Sequence, residues 1–131
     1  MATTAAQLPC EDPESVMEGQ VWWLKPDPAI PAMGREQAGR RPVLVVSNDY
    51  FSGLIDSLFI GVPLTTKDRG WHNHIAVEYQ DEVDAPPSWA MAEQIKACSV
   101  VRLDGNVGEV TSQCLAEVRQ WISELTSDLD A

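Results

Sequence analysis

The chain has 131 residues and a mass of 14.4 kDa, a length typical of one domain rather than two. Its 44% hydrophobic and 22% charged residues suit a folded globular protein, whereas a disordered chain contains fewer apolar residues. Twenty acidic residues against nine Lys and Arg give a net charge of -11. This balance disfavours a protein that binds bulk duplex DNA, because such binding depends on neutralising many phosphates.

Two further features bear on location and cofactors. No apolar run approaches the ~20 residues of a membrane helix, and the N-terminus lacks the basic and apolar regions of a signal peptide. The three cysteines, Cys10, Cys98 and Cys114, lie far apart, which fits reduced thiols better than a disulfide framework or a zinc site. We therefore expect a cytoplasmic protein with no membrane association, metal or other cofactor.

The first third of the chain predicts a tail, a strand and a loop. Residues 1–15 show no hydrophobic periodicity and are expected to be disordered, followed by a single domain over residues 16–131. Val21–Leu24 is β-prone and is followed by two prolines, which are incompatible with a central strand. Residues 26–39 are therefore expected to form a long loop.

Two apolar runs predict buried strands, Pro42–Ser47 and Leu58–Pro63, with a turn over Asn48–Gly53 between them. Gly61 and Pro63 indicate a bend, a bulge or a strand end in the second run.

The second half predicts further strands and one helix. Ile75–Tyr79 and Ala97–Val101 are expected to be strands, and Asp104–Asn106 a turn. A helix capped by Thr111 or Ser112 should follow, because four apolar residues at spacings of 3, 4 and 3 form one stripe: Leu115, Val118, Ile122 and Leu125. Glu117, Arg119 and Glu124 lie off that stripe. The pattern indicates a mainly β fold, a small bent sheet or barrel with a C-terminal α-helix.

The positive charges are concentrated in two loops. Five of the nine basic residues fall in two loops that adjoin the buried strands: Arg35, Arg40, Arg41, Lys67 and Arg69. We expect these loops to share one end of the barrel only if the two strands run parallel or if the loops fold back over one face. A locally positive patch on an acidic protein can hold a phosphodiester; the alternative is an ordinary solvated surface.

An ordered series of motifs resembles the MazF/PemK/Kid family of toxin endoribonucleases. It comprises Gly19–Trp23, Asp27-Pro28, Glu36–Ser47 and Val62–Thr66, and continues with Glu93–Ile95 and Arg102-Leu103. The resemblance spans Gly19 to about Leu125, and Glu93 stands where Asp is the more usual residue.

The resemblance implies an SH3-like barrel of the CcdB/Kid type and a homodimer. It implies sequence-specific, metal-independent cleavage of single-stranded RNA, including mRNA, which inhibits translation and growth. The ribose 2′-hydroxyl is the nucleophile, and the products are a 2′,3′-cyclic phosphate and a 5′-hydroxyl. A cognate antitoxin would neutralise the toxin by covering its active groove.

By the same resemblance, Arg41 and Thr65 match positions assigned to catalysis. Arg41 offers a planar fork for phosphate oxygens and is too basic to act readily as a general base. Glu36 is the third catalytic candidate: it could orient Arg41, bind a ribose hydroxyl or accept the 2′-proton. The alternative is a structural salt bridge between Arg41 and Glu36, with Thr65 merely ending a strand.

RNA contacts are predicted at Gln37, Arg40, Thr66, Lys67, Arg69 and Trp71. Of the five tryptophans, Trp71 is the best candidate for stacking an unpaired base, since it lies in a loop beside Arg69. His72 and His74 suggest acid–base catalysis by residue type. Their alternation places both on one side of an extended segment, and the resemblance gives them no role, so we expect ordinary loop or strand histidines.

Two rival functions remain open at this stage. A CcdB-type gyrase poison and a non-catalytic SH3-like binding module would both use this fold without cleavage chemistry. The loop around residues 28–35 is longer than in the family that the chain resembles. The sequence therefore does not predict which RNA motif the protein cleaves.

Overall fold

The computed structural model describes residues 16–26 and 39–128. These residues form seven strands: β1 (Gln20–Leu24), β2 (Arg41–Val45), β3 (Leu58–Thr65), β4 (His74–Ala76), β5 (Trp89–Met91), β6 (Lys96–Ser99) and β7 (Leu103–Glu109). Two α-helices accompany them, α1 (Asp49–Leu54) and α2 (Ser112–Thr126), with short 3₁₀ helices at Ala92–Gln94 and Val100–Arg102. The predicted mainly β fold with a C-terminal helix is confirmed. The predicted disordered tail, residues 1–15, lies outside the described residues, as does most of the predicted loop.

The strands form one antiparallel sheet in the order β4-β5-β3-β2-β1-β7, with β6 paired to the first half of β3. The sheet is not closed into a full barrel. Among the described residues its two ends meet only at an isolated bridge between Tyr79 and Val110. Two hydrogen bonds flank that bridge, and the backbone N–H of Gln80 donates one of them to the Glu109 carbonyl at 2.8 Å.

Both faces of the sheet are buried. On one face, Val21, Leu44 and Val62 of the sheet share a core with Cys114 and Val118 of α2. The core on the opposite face includes Trp22, Val43, Val45, Phe59 and Leu103. Strand β2 contributes alternate residues to both cores, which explains its nearly continuous apolar sequence.

Strand β3 continues past Gly61 and Pro63 as far as Thr65, so of the predicted alternatives the strand end is wrong. Residues 58–61 pair with β6, residues 64–65 pair with β5, and Pro63 falls in the gap where β3 changes partner. A proline has no N–H to donate, so it is tolerated where no ladder bond is needed on that side. Gly61 is required by a close approach, because a Cβ there would lie 2.5 Å from Val43 Cγ2.

Two predicted turns are wrong. Asn48 begins α1 instead of a turn, because its side chain accepts a hydrogen bond from the Phe51 N–H at 3.1 Å and caps the helix. Asp104–Asn106 lies inside β7, where two shifts of register against β1 absorb the extra residues as bulges. Gly105 has a φ of 113° there, a conformation that favours glycine. The predicted strand from Ile75 is shorter than expected, since β4 ends at Ala76.

Helix α2 begins as predicted. Thr111 caps it by accepting a hydrogen bond from the Cys114 N–H at 3.1 Å. The apolar stripe is shorter than expected, because Leu125 is 50% exposed. Arg119 does not lie on a solvated face: its guanidinium donates to the Val46 carbonyl at 2.7 Å and pairs with Glu18 at 2.6 Å. These contacts tie α2 to the end of β2.

None of the described helices combines the length and the apolar character that crossing a membrane requires.

Candidate active site

Arg41 and Thr65 lie at the same end of two neighbouring strands. Strands β2 and β3 are antiparallel and pair from Val45 opposite Gly61 to Val43 opposite Pro63. Arg41 begins β2 and Thr65 ends β3, so each lies two residues beyond the last paired residues. The sequence-based condition for bringing the two basic loops together was therefore wrong. In an antiparallel pair the start of one strand lies beside the end of the other, so no folding back is needed.

Each of the two residues pairs with a different neighbouring strand. Arg41 is opposite Leu24 of β1, and Thr65 is opposite Trp89 of β5. Arg41 is exposed, whereas Thr65 and Trp89 are half-buried. Pairing with a neighbouring strand therefore holds the backbone at both candidate catalytic residues. Sequence reasoning gave Trp89 no place in the site, because only the pairing of β3 with β5 brings it beside Thr65.

The hydroxyl of Thr65 is oriented by the chain that follows it. Its oxygen accepts a hydrogen bond from the Lys67 N–H at 3.1 Å. A hydroxyl that accepts one bond still has a proton to donate, so Thr65 can direct that proton towards a ligand. Thr66, Lys67 and Arg69 are exposed in the same loop, where they are accessible to a bound anion.

Arg40 is held in place beside Arg41. Its guanidinium carbon lies 4.6 Å from the centroid of the Trp23 ring, and Nη1 donates to the Asp104 carbonyl at 3.1 Å. The Asp104 carboxylate lies 3.5 Å from the same nitrogen. The side chain is still 49% exposed, so Arg40 offers a fixed positive charge to a ligand.

Trp71 forms an exposed aromatic surface on the loop after β3. It is 52% exposed, and the Arg69 guanidinium carbon lies 5.8 Å from its ring centroid. The His74 ring contacts it from the protein side, with centroids 4.8 Å apart and planes tilted by 48°.

The two histidines occupy different environments. His72 is exposed, whereas His74 is buried. The predicted placement of both on one side of an extended segment is wrong, because the His74 N–H donates to the Trp71 carbonyl at 3.1 Å and the chain turns there.

Glu93 joins this region to the turn after β5. Its carboxylate accepts from the Asn73 amide at 2.6 Å and lies 3.0 Å from His74 Nε2. Burial by itself raises the pKa of Glu93, but the hydrogen bond and charge of His74 outweigh that effect, and the pKa is lowered. Sequence reasoning missed the contacts of Glu93 with Asn73 and His74. Glu93 is about twenty residues from both along the chain, and the sequence carries no signal that brings them together.

The other candidate residues lie outside the described part of the chain or in the buried cores. Glu36 and Gln37 lie outside the described residues. Cys98 and Cys114 are free and buried in separate cores. Within residues 16–26 and 39–128, no group of three or more His, Cys, Asp or Glu side chains gathers into a possible metal site. A groove of about 650 Å³ lies between Gly19 and α2, at the opposite end of β1 from Arg41.

Comparison with known proteins agrees with the fold and the motifs. MazF from Deinococcus radiodurans is 25% identical, with a TM-score of 0.65 over 84% of this chain and 94% of that one. An endoribonuclease from a mycobacterial species, in complex with its cognate antitoxin, is 22% identical with a TM-score of 0.64, covering 84% and 93% of the two chains. The Mycobacterium tuberculosis toxin MazF-mt6 is 15% identical with a TM-score of 0.61, covering 80% and 93%.

The comparison with curated protein sequences gave no match. The family model described as the PemK-like, MazF-like toxin of type II toxin–antitoxin systems matches residues 17–126. That range includes both strands that carry Arg41 and Thr65, and the chain belongs to this family of toxins.

Proposed function

We propose that the protein is a metal-independent endoribonuclease that cleaves single-stranded RNA, including mRNA, at a short sequence motif. The observation that carries the proposal is the placement of Arg41 and Thr65 at the same end of two paired antiparallel strands. A family member of that architecture from a mycobacterial species is described as an endoribonuclease, which supports the same activity here.

The chemistry follows from what these side chains can donate. The ribose 2′-oxygen attacks the adjacent phosphorus, the bond to the 5′-oxygen of the next nucleotide breaks, and a 2′,3′-cyclic phosphate and a 5′-hydroxyl result. Negative charge grows on the phosphoryl oxygens in the transition state, and fixed donors aimed at that charge lower the barrier. Arg41 supplies a bidentate fork and Thr65 a hydroxyl. Glu36 is the proposed acceptor of the 2′-proton or the residue that orients Arg41.

The surrounding surface suits a single strand better than a duplex. Arg40, Thr66, Lys67 and Arg69 supply fixed or exposed donors for phosphates, and Gln37 is a further proposed contact. Trp71 offers a face to an unpaired base. With a net charge of -11, the protein has weak long-range attraction for nucleic acid, so these local contacts carry recognition.

Assembly and regulation follow the family. We propose a homodimer and neutralisation by a cognate antitoxin in the cytoplasm, where mRNA is translated. Solved relatives include a MazE–MazF complex from Deinococcus radiodurans and the mycobacterial enzyme bound to its antitoxin. Sedimentation at micromolar concentration should give the mass of a dimer, and a persistent monomer would contradict this assembly.

One assay separates the proposed function from its rivals. Purified protein is incubated with a long single-stranded RNA in excess chelator, and the 3′ ends are tested for a cyclic phosphate. The expected result is discrete cleavage by the wild type and none by Arg41→Ala. Inhibition of gyrase without RNA cleavage would instead indicate a gyrase poison. Absence of both activities would indicate a binding module. Cleavage lost in chelator and restored by a divalent ion would overturn the metal-independent mechanism.

A further inference from the structure

The support beneath Trp71 is built from three side chains that the cleavage chemistry does not use. Glu93 Oε1 accepts from the Asn73 amide at 2.6 Å and lies 3.1 Å from His74 Nε2, and Oε2 lies 3.0 Å from the same nitrogen. His74 in turn contacts the Trp71 ring. The carboxylate therefore holds two consecutive residues of the segment that ends the exposed loop.

One ring nitrogen of His74 depends on Glu93, and the other has no partner. The ring is 2% exposed, and its Nδ1 is buried without a hydrogen-bond partner. A carboxylate can only accept, so Nε2 carries a proton and donates it to Glu93.

This arrangement makes the ring depend on Glu93. Without the carboxylate both ring nitrogens would be buried without partners, a state that costs free energy and favours reorientation of the ring. Reorientation would remove the surface against which Trp71 rests. The indole, with the Arg69 guanidinium 5.8 Å away, would then lose its fixed orientation.

We propose that Glu93 is a positioning residue, which acts through His74 and Asn73 to fix Trp71 as the platform on which an unpaired RNA base stacks. The proposal rests on the proposed function for the identity of the ligand. The neighbouring guanidinium favours RNA over a protein partner, because it places a positive charge where the phosphate next to a stacked base would lie. Glu93 has no part in proton transfer in this scheme.

The conservative variant separates positioning from catalysis. Glu93→Gln keeps an oxygen that can accept from both His74 and Asn73, whereas Glu93→Ala removes it. If Glu93 is a positioning residue, Glu93→Gln should behave nearly as the wild type, and Glu93→Ala should behave like a variant that lacks Trp71. A general base at this position predicts loss of cleavage in both variants, since neither an amide nor a methyl group can take up the 2′-proton.

Two readouts test the proposal independently. The first is the indole N–H signal of Trp71 in a ¹⁵N-correlation spectrum of the free protein, assigned by its loss in Trp71→Phe. The Trp71 signal should shift in Glu93→Ala and keep its wild-type position in Glu93→Gln. The other four indole signals should stay in place in both variants, which checks that the fold is intact. Glu82→Ala, which removes an exposed carboxylate elsewhere, is the matched control and should leave all five signals unchanged.

The second readout is binding of a mixed-sequence 2′-O-methyl RNA of twelve nucleotides, which cannot be cleaved. Trp71→Ala and Glu93→Ala should each weaken binding by about tenfold, in the range of one lost stacking contact, and the double variant should be no weaker than Trp71→Ala alone. Additive effects, an unmoved Trp71 signal in Glu93→Ala, or loss of cleavage in Glu93→Gln would overturn the proposal. If the wild type neither binds nor cleaves RNA, the proposed function fails, while the spectrum still decides whether Glu93 positions Trp71. Undiminished RNA binding by Trp71→Ala would exclude the stacking role.

Discussion

Arg41 and Thr65 lie at the same end of two strands because β2 and β3 are antiparallel, with Val43 opposite Pro63 two residues away. The two side chains come from separate loop–strand junctions that are more than twenty residues apart in sequence. Arg41 pairs with β1 and Thr65 with β5, so the backbone that carries both donors is held before any ligand binds. Such fixed donors avoid reorganisation during the reaction, which is the condition under which they stabilise a transition state most effectively.

Replacing Arg41 tests whether its fork or only its charge is needed. Arg41→Lys keeps the charge but loses the bidentate geometry, so kcat should fall by ~10²-fold or more, while RNA binding changes far less. Single-turnover cleavage and binding of uncleavable RNA measure the two effects separately.

The control for this variant must avoid a structural residue. Arg102 is unsuitable, because its guanidinium donates to the Lys25 carbonyl at 2.8 Å and its replacement would remove that contact. Lys96 is exposed on β6, and Lys96→Gln, compared with Arg41→Gln, removes the same charge elsewhere. Equal, small losses in the two variants would contradict the catalytic assignment.

Thr65 allows a sharper pair of variants. Thr65→Val removes the hydroxyl at nearly constant volume and should reduce kcat by about 10²-fold, the cost of one lost donor. Thr65→Ser keeps the hydroxyl that accepts from the Lys67 N–H and should retain most of the activity. Similar losses in both variants would show that the methyl group, and hence the shape of the strand end, matters more than the donor.

Glu93 predicts a pH dependence of stability. Its pKa is lowered below the ordinary value of 4.5, because His74 outweighs the effect of burial. A carboxyl with a lowered pKa in the folded state stabilises it above the unfolded pKa, and this stabilisation is lost as the pH falls through the folded pKa. The free energy of unfolding of the wild type, relative to Glu93→Gln, should therefore decrease between pH 5.5 and pH 3.5 in urea titrations. A constant difference would exclude this coupling.

The buried cysteines should be inert in the folded protein. Burial raises the pKa of the Cys98 thiol, and the nearby charges of Lys96 and Arg102 offset this increase only in part. Burial also raises the pKa of the Cys114 thiol. Since the thiolate is the reactive form, a Cys10→Ser variant should show no rapid reaction with a thiol reagent near neutral pH. Two thiols should react once the protein is unfolded in denaturant. A rapidly reacting thiol in the native variant would show that one of the two cores opens readily.

Gly61 should be sensitive to a single added methyl group. A Cβ at this position would meet Val43 at 2.5 Å and Phe59 at 3.1 Å, and both neighbours are buried. Overpacking of this kind typically costs about 1–3 kcal/mol, so Gly61→Ala should lower the free energy of unfolding by that amount. Gly53→Ala, where a Cβ meets nothing within 4 Å, is the matched control.

The sequence alone determined the local features of this protein. Continuous apolar runs identified β2 and β3, because a strand buried on both faces needs apolar side chains at nearly every position. The spacing of Val118 and its neighbours, with Thr111 before them, located α2 and its cap. The family motifs identified Arg41 and Thr65 as candidates for catalysis. These signals are local, since each depends on residues that are close along the chain.

Only the tertiary structure decided which distant residues meet. The antiparallel pairing of β2 with β3 brings Arg41 and Thr65 to the same end of the two strands, an arrangement for which sequence reasoning had set the wrong condition. Turn-forming residues at Asp104–Asn106 became bulges in β7, because pairing with β1 overrode their local preference. The contact of Glu93 with His74 joins segments nineteen residues apart, and no spacing rule along a single strand or helix predicts such a contact. Hydrogen bonding and burial across the sheet, which depend on the whole fold, fixed these relationships.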